Sequence, residues 1–277
     1  MKKSSLSRDS QRRLKQTSAY YAGGGLGARS YDLVYGKAAA AAADFFVGYT
    51  DKFGAPVLEL GAGTGLITWP VAEAGYDIVA IDFSATMLEL AEYKQSRYTA
   101  AVAERITFIR ADMVDLKLKR AFGTVIVPGS SFQHLTTRYE QQTALENIYA
   151  HLSPGGGLVL TLIEPDATYS AANGQQLPAV ETFDDPASGH RIRRTLVARE
   201  TDPSGQVSTE TILIEQINQA DETVDAESTS WSLRWTHQHE MRDLIKQCGF
   251  EIEAQFSDFG CAPPGHGREQ IWIARRP

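Results

Sequence analysis

The sequence predicts an α/β fold: a seven-stranded, mostly parallel sheet with helices on both faces and a small antiparallel β cap inserted late in the chain. Three observations predict it. Short apolar strands alternate with helical stretches over residues 57–163, the pattern of a parallel sheet with both faces covered. The first of those strands runs into Gly61-Ala62-Gly63-Thr64-Gly65, a glycine turn ahead of a helix. Over residues 165–235 the pattern changes to period-two runs joined by turn residues, which read as antiparallel strands.

Ahead of the first strand lie Tyr20-Tyr21, a glycine-rich joint at residues 23–27, and Tyr31-Asp32-Leu33-Val34-Tyr35. The alanine run at 38–43, followed by Asp44-Phe45-Phe46, is strongly helix-forming. The joint makes the first thirty or so residues either a lid that orders over bound ligand or a plain, untidy terminus. The expected organisation is a tail and lid at 1–35, a core at 36–164 and 236–277, and the cap at 165–235.

The first strand, Val57-Leu58-Glu59-Leu60, delivers the backbone into the glycine turn, where a ligand can approach the main chain with no Cβ in the way. The helix start beyond it offers unpaired N–H groups. That is a nucleotide-type cofactor site, but not the NAD fingerprint, which needs a glycine at the sixth position, where Leu66 stands. Glu59 would repel a pyrophosphate. Its carboxylate suits a ligand with ammonium and sulfonium groups, such as S-adenosylmethionine.

The later elements support that cofactor. A second strand over 77–82 ends in Asp82, placed to accept both ribose hydroxyls of an adenosine. Ser84 caps a helix over 85–93, and Phe83 and Met87 would flank the adenosine. A third strand over 106–109 leads to Asp112-Met113, an acid for the adenine amino group and an apolar cover for the ring. A fourth over 123–127 opens into Pro128-Gly129-Ser130-Ser131-Phe132-Gln133-His134-Leu135, where Pro128 is expected to border the cofactor. The run from His151 through Gly157 reads as a helix stop and turn before a fifth strand over 158–163.

Within the cap, strands are expected at 191–199 and 207–217, with a turn at Asp202-Pro203-Ser204-Gly205. A third candidate strand holds Trp231, Leu233 and Trp235 on alternate positions. A helix over 239–247 and strands over 250–256 and 270–274 complete the sheet, the final hairpin strand being antiparallel.

In order and interval, these segments resemble the Rossmann-like class I S-adenosylmethionine-dependent methyltransferases. The likeness is strongest to the small-molecule branch of glycine and sugar-amine N-methyltransferases. It runs from about Tyr31 to the C-terminus and includes Cys248-Gly249-Phe250 and the closing Gln270-Ile271-Trp272-Ile273-Ala274-Arg275-Arg276. One departure is Phe122-Gly123, where relatives often carry Phe-Asp. That position lies at the amino end of the strand, roughly 13 Å from the ligand edge. The loss is therefore expected to cost local order and to spare cofactor binding. The resemblance implies methyl transfer to nitrogen or oxygen of a small molecule, such as an aminosugar or another intermediate of secondary metabolism. Carbon methylation and a non-catalytic cofactor-binding role are the alternatives.

Methyl transfer from a sulfonium is an in-line displacement that depends on alignment and a dry pocket. A base helps only where the acceptor arrives protonated. His134, just past the fourth strand, is the first choice, because some sugar N-methyltransferases that this chain resembles place a histidine there. Phe132-x-His134-Leu135 also reads as packing beneath the next helix. Glu164 and Asp166 follow the fifth strand, and Asp258, Cys261 and His266 stand in the loop between the last two strands. Tyr21, Tyr35, Trp235 and His266, with His134, are the acceptor-site candidates; Trp231 and Trp235 read equally as core or subunit interface. No metal is expected, since Pro128-Gly129-Ser130 offers no carboxylate after the fourth strand.

Net charge narrows the partners. The first fifteen residues hold Lys2, Lys3, Arg8, Arg12, Arg13 and Lys15 against Asp9, so +5 of the chain's −7 sits there and the remaining body carries −12. An acidic body argues against nucleic acid, whose phosphates need a basic surface. No stretch has the length of a membrane span or the apolar core of a signal peptide, and two cysteines make no disulfide framework. The expectation is a cytoplasmic enzyme with a small-molecule acceptor and no membrane partner, pairing as a homodimer through the cap if it oligomerises.

Overall fold

The computed structural model describes residues 21, 24–165 and 179–277. The helices are α1 (Leu26–Arg29), α2 (Tyr31–Phe53), α3 (Thr68–Glu73), α4 (Ala85–Tyr93), α5 (Ala100–Ala103), α6 (Arg138–His151) and α7 (Gln238–Gln247). The core strands are β1 (Val57–Leu60), β2 (Ile78–Asp82), β3 (Ile106–Arg110), β4 (Phe122–Val127), β5 (Leu152–Ile163), β10 (Glu251–Phe256) and β11 (Glu269–Arg275). The cap strands are β6 (Ala179–Asp185), β7 (His190–Asp202), β8 (Val207–Ile217) and β9 (Thr223–Arg234).

The core is the seven-stranded, mostly parallel sheet that the sequence predicts, in the order β10-β11-β5-β4-β1-β2-β3. β1 through β5 pair in parallel, and β11 is antiparallel to both β5 and β10. Successive side chains on a strand point to opposite faces, so each strand feeds two cores. Leu58, Leu60, Val125 and Val127 pack with Leu145 and Ile148 of α6 and Met241 and Leu244 of α7. Val57 and Ile126 pack on the other face with Ala42 and Phe46 of α2 and Val71 of α3. Local signals place the helices: the Ser84 hydroxyl accepts from the Met87 N–H at 3.2 Å to start α4, and Thr137 with Glu140 forms a capping box on α6.

The strand order reverses at β1, so the crevice for a ligand opens at the carboxyl ends of β1 and β4. The cap is a separate antiparallel sheet, β6-β7-β8-β9. Arg234, at the end of β9, ties it to the core by donating to Gln141 of α6 at 2.9 Å and Glu240 of α7 at 2.6 Å.

Several local expectations change. The helix expected over the alanine run begins seven residues earlier, at Tyr31, so Tyr31 and Tyr35 ride on α2. Residues 152–157, read as a turn, are part of β5, which bulges where its pairing with β4 shifts between Phe122 and Thr124. The lower part of the glycine joint is docked rather than loose: Leu26 and Ala28 are buried, and the Gly27 N–H donates to Glu227 of β9 at 2.8 Å. The rest of the expected lid lies outside the described residues, apart from Tyr21. Gly123 has a steric reason of its own, because a Cβ there would stand 2.4 Å from the Gly54 carbonyl oxygen. The backbone crosses too closely for any side chain, so glycine here serves local order rather than costing it. No helix among the described residues is long and apolar enough to cross a membrane.

Candidate active site

A cavity of about 580 Å³ lies over the carboxyl edge of the sheet, beneath the cap. That is within the usual range of roughly 300–1,000 Å³ for ligand pockets. Of the cofactor residues read from the sequence, Glu59, Gly61, Ala62, Gly63, Asp82, Phe83, Asp112, Met113 and Pro128 all line it. They come from the ends of four strands, β1 to β4, and the fold brings them to one place.

The glycine turn is held from beneath. The N–H groups of Gly61 and Ala62 both donate to the Ile81 carbonyl, at 2.8 and 2.9 Å. Asp82 accepts 2.7 Å hydrogen bonds from the N–H groups of Gly63 and Ser84, so one carboxylate clamps the turns after β1 and β2. Burial raises the Asp82 pKa, and those backbone donors oppose the rise. Glu59 is almost fully buried and accepts from the Thr68 hydroxyl. Burial is the main cause that pushes its carboxyl up to about 8, against the lowering effect of Thr68. Such an acid ionises readily only when a cation arrives beside it.

Thr64, Gly65 and Met87 do not reach the cavity. The Thr64 hydroxyl turns away to Asp32 of α2, which also pairs with Lys94, so this triad fastens α2 over the glycine turn. Gly65 sits against the Trp69 ring, and Met87 packs under Leu26 and Ala28. These three residues shape the site without lining it.

The remaining wall comes from α2, β5, β11 and the cap. Tyr21, Tyr35 and His134 line the cavity as expected. Trp235 does not: β9 ends at Arg234, and the Trp235 N–H turns to the Gln206 carbonyl at 2.9 Å while its ring is buried. Trp231 and Leu233 face the cavity instead. His266 is exposed, because the loop between β10 and β11 folds back through bonds from Ser257 to Ala262 and from Glu269 to Ser257. That loop sends Phe259 and Glu269 inward, not Asp258, Cys261 or His266. Glu164 is held by Gln238 at 2.8 Å, and Asp166 lies outside the described residues.

His134 closes a short 3-10 turn after β4 and packs edge-on against Tyr21, with ring centroids 5.2 Å apart. The choice of His134 as the base meets a difficulty here. Burial lowers its pKa to about 4, only partly offset by a hydrogen bond to the Ser232 backbone. The imidazole is therefore neutral at physiological pH, and it is a weak base.

Sequence reasoning missed Tyr31, Arg194, Glu210 and Glu269 among the residues of the wall. Arg194 rises from β7, is buried, and donates to the Tyr35 hydroxyl at 2.9 Å and to Glu181 at 3.1 Å. Glu210 lines the wall while holding Arg199 at 2.7 Å. The signal for Arg194 and Glu210 was the period-two pattern of the cap, which shows which residues share a face but not what that face meets.

The crevice at β1 and β4, the glycine turn and the acids ending β1 and β2 define the class I methyltransferase architecture. Residues 57–156 match the family model described as a methyltransferase domain. The cypemycin N-terminal methyltransferase of Streptomyces is 25% identical over 224 residues, covering 80% of this chain and 84% of that protein. Two solved structures share the fold. An S-adenosylmethionine-dependent methyltransferase from Clostridium acetobutylicum superposes with a TM-score of 0.71 at 14% identity, over 89% of this chain and 98% of that one. A sugar N-methyltransferase from Streptoalloteichus gives 0.68 at 22% identity, over 89% and 92%. This chain is an S-adenosylmethionine-dependent methyltransferase.

The residues present fit that cofactor. Gly61 to Gly63 open the backbone, the buried Glu59 faces the cavity as an acid awaiting a cation, and Asp82 stands at the tip of β2. When bound, S-adenosylmethionine supplies an electrophilic methyl group on sulfur. Replacing Asp82 with alanine should weaken cofactor binding by about 1–3 kcal/mol, since it orphans the two N–H groups that the carboxylate holds at the edge of the cavity. Calorimetry showing wild-type affinity in that variant would refute the role.

Proposed function

We propose that this enzyme methylates an amine nitrogen of a small molecule or of a short peptide. The carrying observation is the charge of the cavity wall. Among the described residues, Asp82, Asp112 and Glu269 line it as acids, Glu59 becomes a fourth once a cation stands beside it, and the one cation, Arg194, pairs with Glu181 as Glu210 pairs with Arg199. A wall of that sign favours a cationic acceptor over an anionic one. The names of two similar proteins, an N-terminal methyltransferase and a sugar N-methyltransferase, support nitrogen as the target.

In this reading His134 orients rather than ionises. One ring nitrogen is committed to the Ser232 backbone, and the other can accept a hydrogen bond from the acceptor. His134→Ala should lower turnover about two- to tenfold, the worth of one hydrogen bond, with cofactor affinity unchanged. A loss of about a hundredfold or more would mark it as the base after all. The reading itself is tested by supplying cofactor labelled in its methyl group together with aminosugars, peptides with free N-termini, alcohols, tRNA and DNA. Label entering the amines supports it. Label entering only alcohols, carbon or nucleic acid overturns it.

A further inference from the structure

Glu269 is the wall residue whose chemistry the site described so far does not use. It opens β11, and the antiparallel register sets it opposite Ile163, the last residue of β5, at the ligand edge of the sheet. Strand alternation puts it on the face of Ile271 and Ile273, which pack with Phe46 of α2 and with Phe259. The carboxylate thus enters the cavity from an apolar surround. Among the described residues no ion pair or side-chain hydrogen bond engages it, whereas Glu59, Asp82, Asp112 and Glu210 each hold a partner. The strand order also separates it from the cofactor residues: β5 and β11 lie on the opposite side of β4 from β1, β2 and β3.

We propose that Glu269 binds the ammonium group of the acceptor amine and takes its proton, which makes it the proton acceptor of the reaction. This rests on the amine reading above. The ammonium N–H proton passes to a Glu269 oxygen, and the freed nitrogen lone pair forms the bond to the methyl carbon. The carbon–sulfur bond breaks with its electron pair returning to sulfur, so the sulfonium becomes a neutral thioether and the product leaves as an N-methylammonium ion. Two further observations agree. Burial alone raises the Glu269 carboxyl to about 7, where it can still be ionised at working pH and yet holds a proton well. The other charged or titratable groups of the wall, including Glu59, Asp82, His134, Arg194 and Glu210, make no contribution to that shift. His134, at about 4, is too weak a base for an alkylammonium.

The test compares wild type, Glu269→Gln and Glu269→Asp with an amine acceptor established by the labelling assay. Wild-type kcat/KM should rise with pH through about 7, as the carboxyl loses its proton. Glu269→Gln should lose that limb and fall about a hundredfold or more below neutrality, regaining rate only toward the pKa of the acceptor, where free amine arrives from solvent. Glu269→Asp should restore part of the activity and the limb. Cofactor affinity by calorimetry and the thermal midpoint should match wild type in the Gln variant, which separates lost chemistry from lost fold. Amine methylation by Glu269→Gln at the wild-type rate and pH profile overturns this assignment alone. Methyl transfer only to hydroxyl or carbon acceptors overturns the amine reading and the assignment together.

Discussion

Gly61→Ala should weaken cofactor binding about thirtyfold or more, the largest effect expected from a single methyl group in this enzyme. Gly61 has φ of +75°, in the left-handed region, and a Cβ there would stand 2.4 Å from the Ser131 Cβ and hydroxyl oxygen. The backbone strain costs about 1–3 kcal/mol. Overpacking costs a similar amount, about 1–3 kcal/mol, because Ser131 is short and its Cβ cannot swing aside. The turn can relieve both only by moving, and it carries the N–H groups of Gly61 and Ala62 away from Ile81 as it does so. Calorimetric titration with S-adenosylmethionine checks this. Gly48→Ala is the control: Gly48 lies on α2 with nothing within 4 Å of its added Cβ, and it should bind normally. Equal affinity in Gly61→Ala and Gly48→Ala would show that the turn is not the cofactor's cradle.

Arg234→Met should cost about 3–5 kcal/mol of stability, the range for breaking a buried ion pair from one side. The guanidinium is buried and donates to Gln141, Thr236, Gln206 and Glu240, joining the cap to α6 and α7. Methionine keeps much of the length but leaves Glu240 without its closest cation, since Arg138 is 3.6 Å away. Burial alone would raise the Glu240 pKa; Arg234 and the Gln206 amide outweigh it and hold it below its ordinary value. A carboxyl lowered in the folded state contributes stability above its unfolded pKa and loses it as pH falls through the folded value. The stability gap between wild type and variant should therefore be widest at neutral pH and narrow in acid. Urea unfolding of both proteins at pH 7 and at pH 4 measures it. A gap below about 1 kcal/mol at pH 7, the level of an exposed pair, would mean that the cap is held by packing alone.

Both sites bear on how much of this molecule is legible in one dimension. The core sheet is legible because each strand carries its own pattern, and its helices begin at local signals such as Ser84 and Thr137. The cofactor cradle is legible for a related reason. Glu59, Asp82 and Asp112 each sit at or just beyond a strand end, and a parallel sheet brings all such ends to one edge. Where a residue's role depends on a partner far along the chain, the pattern is silent. Thr64 looked like a cofactor contact until Asp32, thirty-two residues earlier, proved to hold it. Trp231 and Trp235 looked equivalent until the strand ended between them.

The acceptor half shows the division most plainly. Residues 57–163, read alone, determine the five parallel strands of the sheet, the crevice and the identity of the cofactor. The antiparallel direction of β11 and the docking of the cap determine that Glu269 and Arg194 share a wall with His134, and that His134 is buried enough to be neutral. Those facts are what the proposals of an amine acceptor and of Glu269 as its proton acceptor rest on. They follow from burial, which is a property of the packed molecule: the same histidine and glutamate in the open chain would titrate at ordinary values, and only the apolar surfaces closed around them drive one down and the other up.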